Sequence, residues 1–108
     1  MKRVIDGFRY DTEKAQEMLR VSEGNAGDFS ACEYGIFRTP RGHWFIAGSG
    51  GPMTRFAQPV SGNSWQGGEK IIPLAPVALL DLIETIQDRF DCDSLFDCPE
   101  LQELITED

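Results

Sequence analysis

The feature that most constrains the fold is a pair of aromatic and β-branched runs on either side of a short turn. The first run spans residues 31–38, the second spans residues 43–48, and a Pro/Gly turn at residues 39–42 separates them. Side chains of this kind fit the pleated surface of a sheet, so the pattern indicates an antiparallel hairpin. A second hairpin is predicted near the start of the chain, where Asp6 and Gly7 supply the positive φ angles of a type I′ turn.

The other strands of the N-terminal part are less clearly marked. Asp11 can cap a helical turn over residues 12–16, and residues 12–20 fit either one helix or a turn that leads into a strand at residues 17–23. Residues 69–72 can pair as a last short strand. Clusters of glycine and small polar residues indicate loops at residues 24–28, 48–52 and 61–68.

The strongest helix signal follows Pro73 and Pro76, because proline suits the first turn of a helix. Apolar side chains then recur every three to four residues and define one stripe, which consists of Val77, Leu79, Leu80, Ile83, Ile86 and Phe90. This pattern predicts a helix that ends around residues 90–93. Pro99 and the apolar residues after it predict a second, short helix through residues 100–105.

The order of these elements, strands first and helices last, is typical of an α+β fold. We therefore predict an antiparallel sheet of about four to five strands, joined by hairpins and covered on one face by the C-terminal helices. A chain of 108 residues has room for one domain. That domain spans residues 1–108, of which residues 1–72 are mostly β and residues 73–108 form an acidic helical segment.

No segment predicts a membrane span or an export signal. No apolar run approaches the ~20 residues that cross a bilayer, and the basic start of the chain lacks the apolar stretch of a signal peptide. The three cysteines, Cys32, Cys92 and Cys98, form an odd set, which argues against a disulfide framework. These features predict a cytoplasmic protein with free thiols.

Charge divides the chain into two unequal parts. Residues 1–72 carry nine bases and eight acids, whereas residues 73–108 carry ten acids and one base, Arg89, for a net charge of −9. A one-sided field of this kind repels nucleic acid and attracts basic surfaces. Ordinary solvated helices mix acidic and basic side chains and are stabilised by i,i+4 ion pairs. With one base among ten acids, this segment can form few such pairs. The sequence therefore predicts a presented acidic surface and no direct binding of nucleic acid.

The candidate interaction residues are carboxylates of this segment and one loop tryptophan. On the first predicted helix, Asp81, Glu84 and Asp88 recur on the polar side. The predicted surface continues toward the C-terminus through Asp91, Asp93, Asp97, Glu100 and Glu103. Trp65 lies among small polar residues, where it either fills the edge of the core or anchors a partner. The high average burial of tryptophan favours the first role, and its frequency at binding hot spots supports the second.

No residue pattern identifies a catalytic site, a metal or a cofactor. A catalytic cysteine–histidine pair would need the single histidine, His43, together with Cys32 on the neighbouring predicted strand. No third residue that would orient the histidine is apparent. Cys92 and Cys98 lack the close spacing of a zinc knuckle. A calcium loop starting at Asp91 would lack its glycine and its final glutamate. The glycine-rich segments also lack the lysine of a phosphate-binding loop.

Five segments of the N-terminal part form a recognisable set. They are Tyr10–Ala15, Gly27–Phe29, Phe37–Thr39, Gly42–Phe45 and Gly48–Ala57. Together they resemble a group of small uncharacterised bacterial proteins that are common on phages and other mobile elements. The resemblance implies a small α+β fold in a bacterial host cell and supplies no activity for any residue. A small acidic protein of this kind is similar in character to anti-CRISPR proteins and other anti-defence inhibitors, many of which occupy a nucleic-acid-binding surface.

Three functions follow from these patterns. The first is a non-enzymatic inhibitor that binds a basic nucleic-acid-handling bacterial protein, such as a CRISPR effector, through the acidic C-terminal helices. The second is a structural or regulatory domain whose acidity only gives solubility, with a homodimer formed through the aromatic hairpin around Phe37 and Trp44. The third is a small enzyme that uses Cys32 and His43. No membrane partner is predicted.

Overall fold

The computed structural model describes residues 1–24, 28–60, 62 and 64–106. In chain order these residues form β1 (Lys2–Ile5), β2 (Phe8–Asp11), β3 (Gln16–Glu23), β4 (Cys32–Arg38), β5 (Trp44–Gly50), β6 (Gln58–Pro59), β7 (Trp65–Gln66), β8 (Gly68–Leu74), α1 (Pro76–Ile86), α2 (Asp93–Phe96) and α3 (Pro99–Gln102). The predicted α+β class with antiparallel sheets is confirmed.

A four-stranded antiparallel sheet in the order β3-β4-β5-β8 forms the centre of the molecule. The predicted aromatic hairpin is β4–β5, in which Phe37 lies opposite Phe45. β3 pairs with the free side of β4, and β8 pairs with that of β5. This register places Ile36, Ile46 and Ile72 side by side across three strands.

Side chains alternate between the two faces of this sheet and build two core clusters. The larger cluster lies under the helices and includes Tyr34, Ile36, Trp44 and Ile46, all of which are buried. The smaller cluster contains Tyr10, Phe37, Phe45, Ala47 and Ile71. Because both faces are covered, the centres of β4 and β5 are apolar on successive residues.

The N-terminal hairpin, β1–β2, covers the face opposite the helices. Asp6 and Gly7 have φ angles of 52° and 82°, the positive values that the predicted type I′ turn requires. The ring of Tyr10 packs edge-on against Phe45, with ring centroids 5.4 Å apart, a favourable arrangement for two aromatic rings. The molecule therefore has three layers, which are hairpin, sheet and helices.

α1 packs on the larger core cluster, and it ends at Ile86, about one turn before the predicted end at residues 90–93. The N–H groups of Arg89 and Phe90 both donate to the Ile86 carbonyl oxygen at 3.0 Å, so a turn takes the place of the last predicted helical residues. The chain instead reverses after Ile86, and Phe90 packs against the core from the turn that follows.

The apolar stripe predicted for α1 is wrong at two positions. Val77 is 59% exposed, and Leu82, which the stripe omitted, is buried with Leu79 and Ile86. Each helical residue advances by about 100° around the axis, so Val77 lies about 200° from Leu79. It therefore faces away from the sheet, although it is apolar.

Two predicted loops contain strand residues. β5 continues to Gly50, and its residue Gly48 lies opposite Tyr34 of β4. A Cβ on Gly48 would overlap the carbonyl oxygen of Glu33 on this neighbouring strand. A glycine in this place reflects close approach of two backbones rather than a loop. The loop predicted over residues 61–68 contains β7, which pairs with β6, and it ends where β8 begins. Within the loop predicted at residues 24–28, residues 25–27 lie outside the described part of the chain.

Residues 12–20 form a turn and a strand rather than a helix. The side chain of Asp11 accepts a hydrogen bond from the Glu13 N–H at 2.9 Å, and the Asp11 carbonyl oxygen accepts from Ala15 at 3.1 Å. β3 then begins at Gln16 and is paired with β4 along its length, with a bulge between Glu17 and Leu19. The local sequence pattern fits a helix or a strand, and pairing with β4 determines that the segment is a strand.

Two short helices complete the layer above the sheet. α3 confirms the second predicted helix, although it ends earlier, at Gln102. α2 was not predicted, because four residues are too few for an apolar period, and it buries Leu95. Among the described residues no helix has the length and apolarity needed to cross a lipid bilayer.

Candidate interaction surface

The outer side of the helical layer carries most of the predicted interaction residues. Seven of the predicted carboxylates are exposed, and they are Asp81, Glu84, Asp88, Asp91, Asp93, Asp97 and Glu103. We call these seven residues the acidic surface. Within the described ranges none of them forms an ion pair with a base. Their charges therefore act on the solvent and on any partner.

α1 fixes the direction of the first two carboxylates. Asp81 and Glu84 are three residues apart and lie on one side of the helix, and the opposite side buries Leu79 and Ile83. Since the buried side cannot rotate away from the sheet without exposing its apolar area, the carboxylates are held outward. Asp88 was predicted on the same helix and instead lies in the turn beyond it.

Arg89, the one base of residues 73–108, is directed toward the sheet. Its Nη2 atom lies 3.5 Å from Oε1 of Glu23 on β3. Its guanidinium group lies over the ring of Phe90, 5.8 Å from the ring centroid. Arg89 is therefore engaged by a carboxylate of the strand region, so it leaves the acidic surface without a neutralising partner of its own.

Glu100 was predicted as part of this surface, and this prediction is wrong. Its side chain is only 18% exposed, and its Oε1 atom accepts a hydrogen bond from Nε of Arg38 at 2.8 Å. α3 places Glu100 next to the β4–β5 turn, where a Cβ on Gly42 would lie 2.6 Å from the same oxygen. The residue joins the helical layer to the sheet instead of facing a partner.

The environment of Glu100 favours its charged form. Burial alone raises the pKa of this carboxyl, but hydrogen bonds from its own backbone N–H, from Arg38 and from Trp44, together with the Arg38 charge, lower the pKa below its ordinary value. Nε1 of Trp44 and Oε2 of Glu100 are both buried, and within the described residues neither atom has another hydrogen-bond partner. The carboxylate oxygen is therefore the acceptor that the buried indole N–H requires.

Trp65 does not fill the edge of the core. The high average burial of tryptophan favoured that role, and the structure shows that it is wrong here. Its side chain is 59% exposed. β7 has two residues and pairs with Pro59 and Gln58 of β6, at the side of the main sheet rather than within it. The tryptophan is thus presented on a short ribbon, as the partner-anchoring role requires.

Two further exposed apolar side chains, Phe29 and Met53, belong to the segments that neighbour Trp65. Phe29 is 68% exposed and Met53 is 73% exposed. The Met53 N–H donates to the Phe29 carbonyl oxygen at 2.9 Å. A Cβ on Gly67 would lie 2.6 Å from the Gly50 carbonyl oxygen, so the Trp65 segment packs on the end of β5. We call Phe29, Met53 and Trp65 the apolar group.

The sequence gives only a weak indication that Phe29 and Met53 are exposed contact residues, and neither was predicted as one. Both are large apolar residues isolated among glycine and small polar residues. Such a residue either folds inward or is presented outward, and composition does not distinguish the two outcomes. The close glycine contacts that hold these loops together become visible only in the structure.

The apolar group lies at the same end of the sheet as the middle of the acidic surface. Arg89 reaches Glu23 at the end of β3, Glu23 lies opposite Cys32, and Cys32 lies opposite Gly50. The carboxylates at residues 88–91 and the loops that carry the apolar group therefore lie toward one end of the fold. Exposed large apolar side chains and charged residues occur together in many protein–protein interfaces.

Cys32 and His43 are too far apart for the predicted catalytic pair. Cys32 lies opposite Gly50 at one end of the β4–β5 hairpin, and His43 precedes Trp44 at the other end. Six residues of strand separate these two ends, which corresponds to about 20 Å. The hypothesis that these two side chains act together is therefore wrong.

The thiols themselves are poorly suited to nucleophilic chemistry. Burial is the main cause that raises the pKa of Cys32, Cys92 and Cys98, and neighbouring carboxylates raise it further. The charges of Arg55 near Cys32 and Arg38 near Cys98 offset only part of this increase. A raised pKa reduces the fraction of reactive thiolate at neutral pH. Among the described residues no group of three or more histidine, cysteine or acidic side chains is arranged to hold a metal ion.

The aromatic hairpin does not present the predicted dimer surface. Phe37 is 6% exposed and Trp44 is 2% exposed, because the hairpin and helical layers of the same chain cover them. A homodimer through these two residues would require both layers to open.

Comparison of the chain with protein-family models, with curated proteins and with solved structures finds no match. The resemblance to proteins of phages and mobile elements therefore stays a prediction.

Proposed function

We propose that this protein is a non-enzymatic interaction protein whose acidic surface binds a basic surface of another protein. The observation that carries the proposal is the set of seven exposed carboxylates without an ion-pair partner among the described residues. A folded domain that exposes like charges in this way accepts self-repulsion. A partner of opposite charge removes that repulsion on binding.

The partner class that fits best is a bacterial protein that handles nucleic acid. Surfaces that hold nucleic acid are lined by lysine and arginine, which neutralise phosphates. A folded layer that presents carboxylates at short intervals competes for the same cations. Electrostatic steering would also speed the encounter at low ionic strength. The protein would therefore act as a stoichiometric inhibitor that displaces nucleic acid, in the manner of anti-CRISPR proteins.

The apolar group supplies the contact that charge alone does not. Exposed charge pairs contribute little affinity, and most binding energy comes from a few large, desolvated side chains. Trp65, Phe29 and Met53 are exposed side chains of this kind, carried by loops at the end of the sheet that Arg89 also reaches. In this proposal the carboxylates guide the approach and the apolar group holds the complex.

The test is a capture experiment from a bacterial lysate, performed with the immobilised protein at low and at high salt. The matched baits are the parent protein and a variant with Asp81, Glu84 and Asp88 changed to Lys. We expect the parent to retain a basic nucleic-acid-binding protein at low salt, to lose it at high salt, and to release nucleic acid from it. The charge-reversed variant should retain none.

Two results would contradict the proposal. One is the absence of any basic protein from the low-salt eluate of the parent. The other is a retained partner whose recovery is unchanged by the charge reversal and by salt. Circular dichroism of the variant checks that the exposed substitutions leave the fold intact.

A further inference from the structure

A cleft on the side of the sheet opposite the helices has a charge opposite to that of the rest of the molecule. It lies between β2, the turn after β2 and the β4–β5 turn, and its volume is about 230 Å³. Its lining residues include Arg9, Lys14, Arg41 and His43, with Asp11 as the one lining carboxylate. With the histidine neutral, the lining has two net positive charges, whereas the whole chain has a net charge of −8.

Two of these cations are free to bind a ligand. The third cation, Arg9, is paired, because its Nη2 atom lies 3.7 Å from Oδ2 of the buried Asp11. Lys14 and Arg41 are exposed, and within the described ranges neither forms an ion pair. Four other arginines of the strand and helix layers pair with carboxylates or lie over an aromatic ring, namely Arg20, Arg38, Arg55 and Arg89.

Both turns that carry the free cations are held by hydrogen bonds. Around Arg41, the Thr39 N–H donates to the His43 carbonyl oxygen at 2.8 Å, and the His43 N–H donates to Oγ1 of Thr39 at 3.0 Å. Around Lys14, the buried Asp11 accepts from backbone N–H groups through its side chain and its carbonyl oxygen. The backbone positions of the cations are therefore preorganised, which lowers the entropic cost of binding.

The walls of the cleft are aromatic and apolar. The rings of Phe8 and His43 lie 5.1 Å apart at an angle of 54°, and Tyr10 and Pro40 line the same space. Phe8 is 48% exposed, although it is the first residue of a strand in the hairpin layer. A planar ring in this cleft would contact these walls, as a base contacts aromatic side chains in nucleotide-binding proteins.

We propose that this cleft binds a nucleoside monophosphate. A phosphate monoester carries a charge of about −1.5 to −2 at pH 7, which matches the net charge of the lining. The guanidinium of Arg41 offers two parallel donors to phosphate oxygens, and Lys14 adds a point charge. The volume is below the range of about 300–1,000 Å³ that fully enclosed drug-sized ligands occupy, so the cleft would hold the phosphate and the planar ring while the rest of the nucleotide faces solvent.

The acidic surface does not prevent this binding. The Debye length is about 8 Å at physiological ionic strength, so a small anion inside the cleft responds mainly to the charges that line it. A long polyanion would also meet the field of the whole molecule, which repels it. The cleft is therefore selective for a small phosphate over a nucleic acid strand.

The test is a titration of the ¹⁵N-labelled full-length protein with adenosine monophosphate, followed by amide chemical shifts. Parallel titrations use adenosine and inorganic phosphate. We expect shifts at residues 8–15 and 39–43, with adenosine monophosphate binding about tenfold more tightly than either fragment. Arg41→Gln and Lys14→Gln should each weaken binding about tenfold, since each removes a charged contact to the phosphate.

The matched control is Lys70→Gln, which removes one positive charge on β8 outside the cleft and should leave the affinity within about twofold. Phe8→Ala should bring the affinity for adenosine monophosphate down to that of inorganic phosphate. The proposal is overturned by equal affinity for the nucleotide and either fragment, by shifts confined to other regions, or by equal weakening in the control. Unchanged amide shifts outside the cleft establish that each variant is folded.

Discussion

Arg38 and Glu100 form a side-chain contact between the strand part and the helical part of the chain. They are 62 residues apart in sequence, and the contact joins β4 to α3. Residue type alone does not reveal this role, because the sequence presents Glu100 as one of ten similar carboxylates. Its position beneath the β4–β5 turn separates it from the seven that face solvent. Of the eight carboxylates that the sequence predicts on one presented surface, seven are exposed, and tertiary packing removes Glu100 from it.

Glu100→Gln should lower the free energy of unfolding by about 1.5–3 kcal/mol, because it weakens a charge-assisted hydrogen bond and leaves the Arg38 charge poorly compensated. Urea denaturation at pH 7 measures this loss. Glu103→Gln is the matched control, since it changes an exposed carboxylate one turn away, and its effect should remain within about 0.5 kcal/mol. Equal stability of the two variants would contradict the assigned role of Glu100.

The pH dependence of this contact follows from the direction of the pKa shift. The pKa of Glu100 is lower in the folded state than its ordinary value of 4.5. The contribution is therefore fully present above pH 4.5 and is lost as the pH falls through the folded-state pKa. The stability difference between the parent and Glu100→Gln should shrink below that pH. A difference that grows on acidification would contradict the assignment.

At the scale of elements, the sequence predicted the helices and strands whose formation depends on nearby residues. The β4–β5 hairpin follows from its aromatic runs and its turn, and the first hairpin follows from Asp6 and Gly7. The end of α1 at Ile86 and the extension of β5 to Gly50 were not predicted. Both depend on tertiary packing, namely the packing of Phe90 against the core from the turn after the helix and the close approach of β4 to β5.

The orientation of α1 is tested by two truncations on one helix. Ile83→Ala should lower the free energy of unfolding by about 2–5 kcal/mol, because it opens a cavity between the helix and the sheet. Val77→Ala is the control, and because Val77 faces solvent its effect should remain within about 0.5 kcal/mol. Similar losses for both variants, measured by urea denaturation, would show that α1 is rotated from the described orientation.

At the scale of the whole molecule, negative charge, exposed apolar side chains and positive charge each occupy a different part of the surface. The helical layer presents seven carboxylates, the loops at one end of the sheet present three large apolar side chains, and the face opposite the helices holds a basic cleft. Composition predicted the first of these features. Of the apolar group, the sequence indicated Trp65 alone, because the positions of Phe29 and Met53 and the basic cleft depend on which loops the fold brings together.

The central claim is that the acidic surface, and not total charge, binds a basic partner. The most direct measurement is the affinity for the captured partner, determined by calorimetry at stepped salt for two variants with the same change in net charge. One neutralises the helical layer with Asp81→Asn, Glu84→Gln and Asp88→Asn. The other neutralises exposed acids of the strand region with Asp6→Asn, Glu13→Gln and Glu69→Gln.

We predict that the helical-layer variant binds at least about tenfold more weakly than the parent and depends less on salt. The strand-region variant should bind within about twofold of the parent. Equal weakening of the two variants, or no weakening of either, would contradict the claim. In the first case total charge alone would govern binding, and in the second the carboxylates would not take part in it.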